Sequence, residues 1–478
     1  MASKTTLNAK NLEALGTERL AELLIEISTG SAANKRRLRL ELAGNHGSAE
    51  VAREVRKRLV SIARARTFIN WRKVKALKKD LETQRMTIVD TLAPQDPAEA
   101  FELVWQFLAL GDSIFARSDD GSGTLIESFH QACTDAGVIA KLARVNTDAL
   151  ADKIFAAVQD NNYGQYDRLI TAMVPALGKD GLEQLRTLFV KLSEEPQEKS
   201  AQHDRQVIGW SSKGPVYDDD IHGNRREQTV RVALQEIADA LGDVDAYIAQ
   251  HSEQARKAPK VAANIASRLL AAGRAKEALV ALDRVDTRGR SEVPIEWQLA
   301  RVKTLEALER GDEAQAYRWT CFEHSLTDQH LRDFLRRLPD FDDMEAEEKA
   351  FTYAQAFPDA NRALAFFLRW PSLEEAAKLV TARQTELDGD LYEVMTLAAE
   401  ALQDKHPLAA TILLRSMIDF TLGRARSSRY KHAARHLAVC QALAPHIDDF
   451  GDGVSHDAYL AGLKSRHGKK QGFWKHLG

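Results

Sequence analysis

Residues 261–286 read VAANIASRLLAAGRAKEALVALDRVD, and their spacing decides the fold class. Ala262, Ile265, Ala266 and Leu269 recur at i, i+3, i+4 and i+7, the period of a helix with one apolar face. Gly273 interrupts the pattern, and Ala278, Leu282 and Val285 resume it. Two helices joined at a glycine, with small residues on their facing sides, predict a hairpin of closely packed helices. A second turn glycine, Gly311 in LERGDEAQAYRW, and the stretch 390–420, which turns at His406-Pro407, repeat the theme.

The same period runs upstream. In TERLAELLIEISTG, Leu20, Leu23, Leu24 and Ile27 form one stripe, with Thr17 as the expected N-cap and Gly30 as the stop. WRKVKALKKDLETQRMTIVDTL places Trp71, Val74, Leu77, Leu81, Ile88, Val89 and Leu92 within about 120° of arc, a core-facing stripe. Asp96 and Pro97 then mark a helix start, as cap and first helical residue. Alternating strand-like runs are scarce, so the fold class is all-α.

The chain has 478 residues, 44% of them hydrophobic and 28% charged, which suits a folded protein of more than one domain. No apolar run is long enough for a membrane span, and the first twenty residues lack the apolar core of a secretion signal. Cys133, Cys321 and Cys440 are too few for a disulfide framework or a four-cysteine zinc site. A cytoplasmic location, with no membrane contact, is expected.

Periodicity lapses over 195–228. The expected organisation is therefore an N-terminal helical domain (1–194), a polar connector or functional loop (195–228) and a helical repeat domain (229–478) with a C-terminal cap. In that cap, Ser455 starts a helix and Phe473 and Trp474 fold back to cover the last helix pair.

The hairpin at 261–286 resembles the tetratricopeptide repeat. It departs from that repeat where Ala262 stands in place of a large aromatic and where the closing proline is missing. The resemblance implies an α-solenoid of helical hairpins. WRKVKALKKDLETQR, RSDDGSG, LQEIADALGDVDAYIAQ and YLAGLKSRHGKKQGFWKHL together resemble an uncharacterised bacterial helical-repeat family, which implies a fold and no activity. The C-terminal part is similar to the helical tails of SWIM-type zinc-finger proteins, but the Cys-x-Cys and Cys-x-His pairs of that finger are missing.

Four groups of residues invite a chemical reading. RSDDGSGTLIESF (117–129) looks like a calcium loop, yet with Gly123 at position 6 the register puts Ser118 at position 1 and Phe129 at position 12. It reads instead as a turn, with Arg117 pairing with Asp119 or Asp120 and Ser122 or Thr124 capping the next helix. Residues 34–79 hold fifteen Lys and Arg against three Glu, a local +12 in a chain of net charge −3. There Arg53, Arg56, Lys57 and Arg64 lie opposite the Val51, Val55, Leu59, Ile62 stripe, and Arg72, Lys75 and Lys79 lie opposite the Trp71 stripe. These cations would suit a nucleic-acid backbone, or would pair with the protein's own acids at 217–220 and 340–348. His432, His436 and Cys440 follow at i, i+4, i+8, where a helix could ligate a metal, but Cys440 sits on the apolar face and is expected to pack there. The nucleophile-elbow, phosphate-loop and dinucleotide signatures do not occur.

The sequence therefore points to a non-catalytic protein-interaction or scaffold protein, with no cofactor, metal or catalytic residue. The alternative is a nucleic-acid-binding protein that uses the basic helices at 34–79. Its protein partner is not readable from the residues.

Overall fold

The computed structural model describes residues 6–45, 47–196, 207–211, 214–287, 293–451 and 453–477, without side chains over 207–224. The fold is all-α apart from one short β-hairpin. Contacts divide the chain into two compact units, Met1–Arg256 and Lys257–Gly478.

The first unit opens with α1 (Ala9–Glu13), α2 (Thr17–Ser28), α3 (Ala32–Gly44) and α4 (Ser48–Ala63). It continues through α5 (Trp71–Met86), α6 (Pro97–Leu108), α7 (Leu110–Phe115), α8 (Ile126–Leu142), α9 (Thr147–Gln159) and α10 (Leu169–Glu194). The hairpin of β1 (Val207–Ser211) and β2 (Gly214–Tyr217) leads into α11 (Asp218–Leu241), α12 (Val244–Ala249) and α13 (Glu253–Arg256).

Several local expectations hold. The stripe Val51, Val55, Leu59 and Ile62 is buried, and the Asp96 carboxylate caps α6 by accepting from Glu99 N. Others do not. The cap of α2 is Gly16 (φ 81°) and not Thr17, because a left-handed residue lets the chain turn sharply out of α1. Trp71, expected in the core, is 70% exposed with the Arg72 guanidinium 5.1 Å above its ring, while Val74, Leu81, Ile88 and Leu92 are buried. Trp71 is the first residue of α5, where the core does not cover it, and past Met86 the helix widens into a π-helical turn, Thr87–Leu92.

The connector at 195–228 does not separate the two units. Residues 197–206 and 212–213 of it lie outside the described residues, and its remainder forms the β-hairpin and the start of α11. Helix α11 returns to pack along α10 and α9, and Arg226 reaches back to Leu192 O and the Glu195 carboxylate. Residues 229–256, drawn with the repeats from the sequence, thus join the first unit.

The second unit comprises α14 (Pro259–Ala271), α15 (Ala275–Asp283), α16 (Ile295–Ala307), α17 (Gly311–Ser325), α18 (Asp328–Leu335), α19 (Asp342–Gln355) and α20 (Ala360–Arg369). It ends with α21 (Leu373–Ala382), α22 (Tyr392–Leu402), α23 (Pro407–Gly423), α24 (Tyr430–Leu443), α25 (His456–His467) and α26 (Gln471–Trp474). From α14 to α24 each helix packs chiefly on its next or next-but-one neighbour in sequence. Gly273 takes φ 74° between α14 and α15, as its turn requires. At the second turn Glu309, not Gly311, carries the left-handed backbone (φ 61°), and Gly311 begins α17. Ser455 caps α25 through Ala458 N, and Phe473 is fully buried against Tyr430 with Trp474 beside it.

Candidate ligand-binding groove and the predicted sites

The turn at 117–124 is held by backbone capping. Two consecutive N–H groups, of Leu125 and Ile126, donate to the Asp120 carboxylate (2.9 and 3.0 Å), so Asp120 caps α8. Ser122 and Thr124 bond each other, and Asp119 is exposed. Arg117 does not pair with either aspartate. Its guanidinium donates to Ile62 O and Thr67 O (3.2 and 3.1 Å), at and beyond the C-terminal end of α4, where unpaired carbonyls attract a cation. A two-way backbone bridge between Ile69 and the 117–119 strand completes the lock. With the Asp120 oxygens on α8, added calcium should leave the melting temperature unchanged, because only a ligand of the folded state raises it. A calcium-dependent rise in a thermal melt would overturn this assignment.

The basic segment is partly neutralised from within. Arg53 pairs with Glu50 (2.6 Å), Lys57 with Glu54 (3.7 Å), and Arg56 with Glu99 of α6. Arg36 and Arg58 converge on Asp80. These acids are local, not those at 340–348; the side chains at 217–220 lie outside the described residues. Arg64, Arg72, Lys75 and Lys79 are exposed and make no ion pair among the described residues.

The structure does not bring His432, His436 and Cys440 together as ligands. Tyr392 on α22 bonds His436 Nε2 (2.7 Å), Cys440 is fully buried in the apolar core, and His432 is exposed. Among the described residues no group of three or more His, Cys, Asp or Glu is placed to hold a metal ion. Burial pushes the Cys440 thiol up to about 12, the behaviour of a packed thiol. Burial, then the nearby His432 and Arg435 charges, push His436 down to about 4 from its ordinary 6.5. Between those values the unfolded chain binds the proton that the folded chain refuses, so stability falls as pH drops through 6.5 and the loss is complete below about 4. The loss should be on the order of 3 kcal/mol. In urea melts His436→Gln should show a shallower acid-side fall, and an unchanged slope would reject this role.

A cavity of about 620 Å³ in the second unit was not legible in the sequence. Its floor is one face of α23, with Leu408, Ile412, Arg415, Ser416, Asp419 and Phe420 at helical spacing. The loop 384–389 forms one wall, and Phe450, Val454 and Tyr459 form the other. Gly389 lets that first loop lie against α23, since a Cβ there would stand 2.8 Å from Ser416 C and 2.9 Å from Phe420 Cβ. The Arg415 guanidinium stacks over Tyr459 (4.5 Å) and Phe450 (5.3 Å) and donates from Nη1 to Val454 O (2.8 Å).

Among the described residues Arg415 makes no ion pair; the Asp419 carboxylate in the same groove acts on it through space but pairs with Arg466 (3.4 Å). The Arg415 Nε and Nη2 and the neighbouring Thr411 Oγ1 are buried without a hydrogen-bond partner among the described residues. Burial lowers the Arg415 pKa from the usual arginine value, as expected of a cation short of compensating charge. The groove thus offers half-buried apolar side chains beside a half-buried cation that makes no ion pair among the described residues.

A second cleft, of about 480 Å³ in the first unit, contains Asp167 and Glu236. Their carboxylates already accept from Asn161 and Thr171, and burial pushes Glu236 up to about 7. Arg225 also lines that cleft, but it is exposed to solvent and donates to Asn161 O (3.0 Å).

Among the described residues no helix is long and apolar enough to cross a membrane. Comparison with known proteins matches residues 2–476 to a family of unknown function, DUF6880, and the chain belongs to that family. No curated protein matches the chain.

Proposed function

We propose that this member of a family of unknown function is a non-catalytic interaction protein that holds a segment of a protein partner in the groove along α23. The supporting observation is Arg415, a half-buried guanidinium that makes no ion pair among the described residues, set beside the apolar surface of Leu408, Ile412 and Phe420. A peptide carrying a carboxylate next to an apolar residue would compensate the cation and cover that surface. The neighbour-on-neighbour packing of α14 to α24 supports a repeat array of the solenoid type, whose stacked helix pairs commonly present such surfaces. Action in the cytoplasm belongs to the same proposal.

The competing reading is nucleic acid bound by the basic helices, in which Arg64, Arg72, Lys75 and Lys79 are exposed cations with no ion pair among the described residues. Capture from cytosol by the full chain separates the two. A protein retained after nuclease treatment, and by the Arg72→Glu/Lys75→Glu/Lys79→Glu variant, but lost with Ile412→Asp and with Arg415→Gln, is the expected result. Both groove variants must keep a melting temperature near that of the parent. Capture that disappears with nuclease or with the basic variant, and weakens steeply with salt, would replace the proposal by the nucleic-acid reading.

A further inference from the structure

The first three helices carry apolar side chains that their own unit leaves uncovered. Across α1, α2 and α3 only Ser28 and Ala43 are buried, whereas α4 alone buries Val51, Ala52, Val55, Leu59 and Ile62. On α2 the stripe Leu20, Leu23, Leu24 and Ile27 has the spacing of a core-facing helix, yet Leu24 is 49% and Ile27 63% exposed. Leu42, on the adjoining α3, is 60% exposed. Helices α2 and α3 pack on each other through the turn at Gly30, so these side chains belong to one hairpin. A concentration of large exposed apolar groups on one element marks a contact surface.

Charge selects the occupant. Helix α2 carries Glu18, Glu22 and Glu26 against Arg19, while α3 carries Lys35, Arg36, Arg37 and Arg39 against Glu41. Lys35, Arg37 and Arg39 make no ion pair among the described residues, nor do Glu18 and Glu26. An acidic helix and a basic helix joined in one hairpin, each with an exposed apolar side chain, can be complementary to a second copy under a two-fold rotation. We propose that a second copy of this chain covers the hairpin, α2 of each copy lying on α3 of the other. An anionic membrane would meet the three glutamates of α2 as well as the bases of α3, and so fits the surface less well.

Sedimentation equilibrium of the full chain tests this. The expected species has twice the 53.3 kDa chain mass. Leu24→Glu/Ile27→Glu should weaken association by about a hundredfold or more, since each substitution enters an isologous interface twice. A monomer at all concentrations, or a dimer that survives this variant, would overturn the proposal. If the variant also unfolds, charge reversal decides instead. Glu22→Lys/Glu26→Lys and Arg37→Glu/Arg39→Glu should each dimerise poorly alone and pair with one another when mixed. Failure of the mixture to associate rejects the arrangement. A monomer that co-sediments with vesicles of anionic phospholipid would assign the surface to a membrane.

Discussion

Replacing Gly137 with alanine is expected to destabilise the first unit by about 3 kcal/mol or more. Gly137 lies inside α8, where Cys133, Ala136 and Ala140 are also small and fully or nearly fully buried. That surface lets α10 approach until its backbone touches the glycine. A Cβ at Gly137 would overlap Ala172 O and stand 2.7 Å from Ala172 C. The obstacle is backbone inside a helix, so no side chain can swing aside, and relief requires the helices to separate. Alanine would gain about 1 kcal/mol of helix propensity, too little to compensate. Gly462→Ala on α25 is the control, because a Cβ there meets nothing within 4 Å, and it should be neutral or mildly stabilising. Urea unfolding of both variants measures the contrast. A loss below about 1 kcal/mol at Gly137 would mean that the two helices are not in backbone contact.

Deleting residues 469–478 should cost the second unit about 3–5 kcal/mol, the range for removing a buried phenylalanine. Helix α26 packs on α24, with the fully buried Phe473 ring 6.2 Å from Tyr430 and 4.9 Å from Trp474. Trp474 Nε1 donates to His467 O (2.9 Å), which ties the tail to the end of α25. Without the tail, apolar side chains of the second core, such as Leu463, would lose their cover, so aggregation on heating should accompany the lower melting temperature. Phe473→Ala should reproduce most of the loss. A truncated chain that melts like the parent would instead make the tail an exposed peptide available to a partner.

Periodicity determined the all-α class because it is local: a stripe at i, i+3, i+4 and i+7 follows from 3.6 residues per turn, wherever the helix ends up. Caps and turns were legible for the same reason, as at Asp96, Gly273 and Ser455, each acting within a few residues of itself. Which stripe is covered is not local. The α2 stripe reads as well as the α4 stripe, yet the α4 stripe is buried while Leu24 and Ile27 of α2 stay exposed, and Trp71 lost its cover by standing at a helix end. Partner choice was equally hidden. Arg117 stands beside two aspartates in sequence but donates to carbonyls 50 and 55 positions away, because a helix end left with unpaired carbonyls lies there. The groove is the extreme case, since 384–389, 408–420 and 450–459 meet only when α23 is laid between two loops. Arg415 looks in sequence like any surface arginine on a helix, and only tertiary burial, which removes water from a guanidinium that makes no ion pair among the described residues, makes it a candidate site.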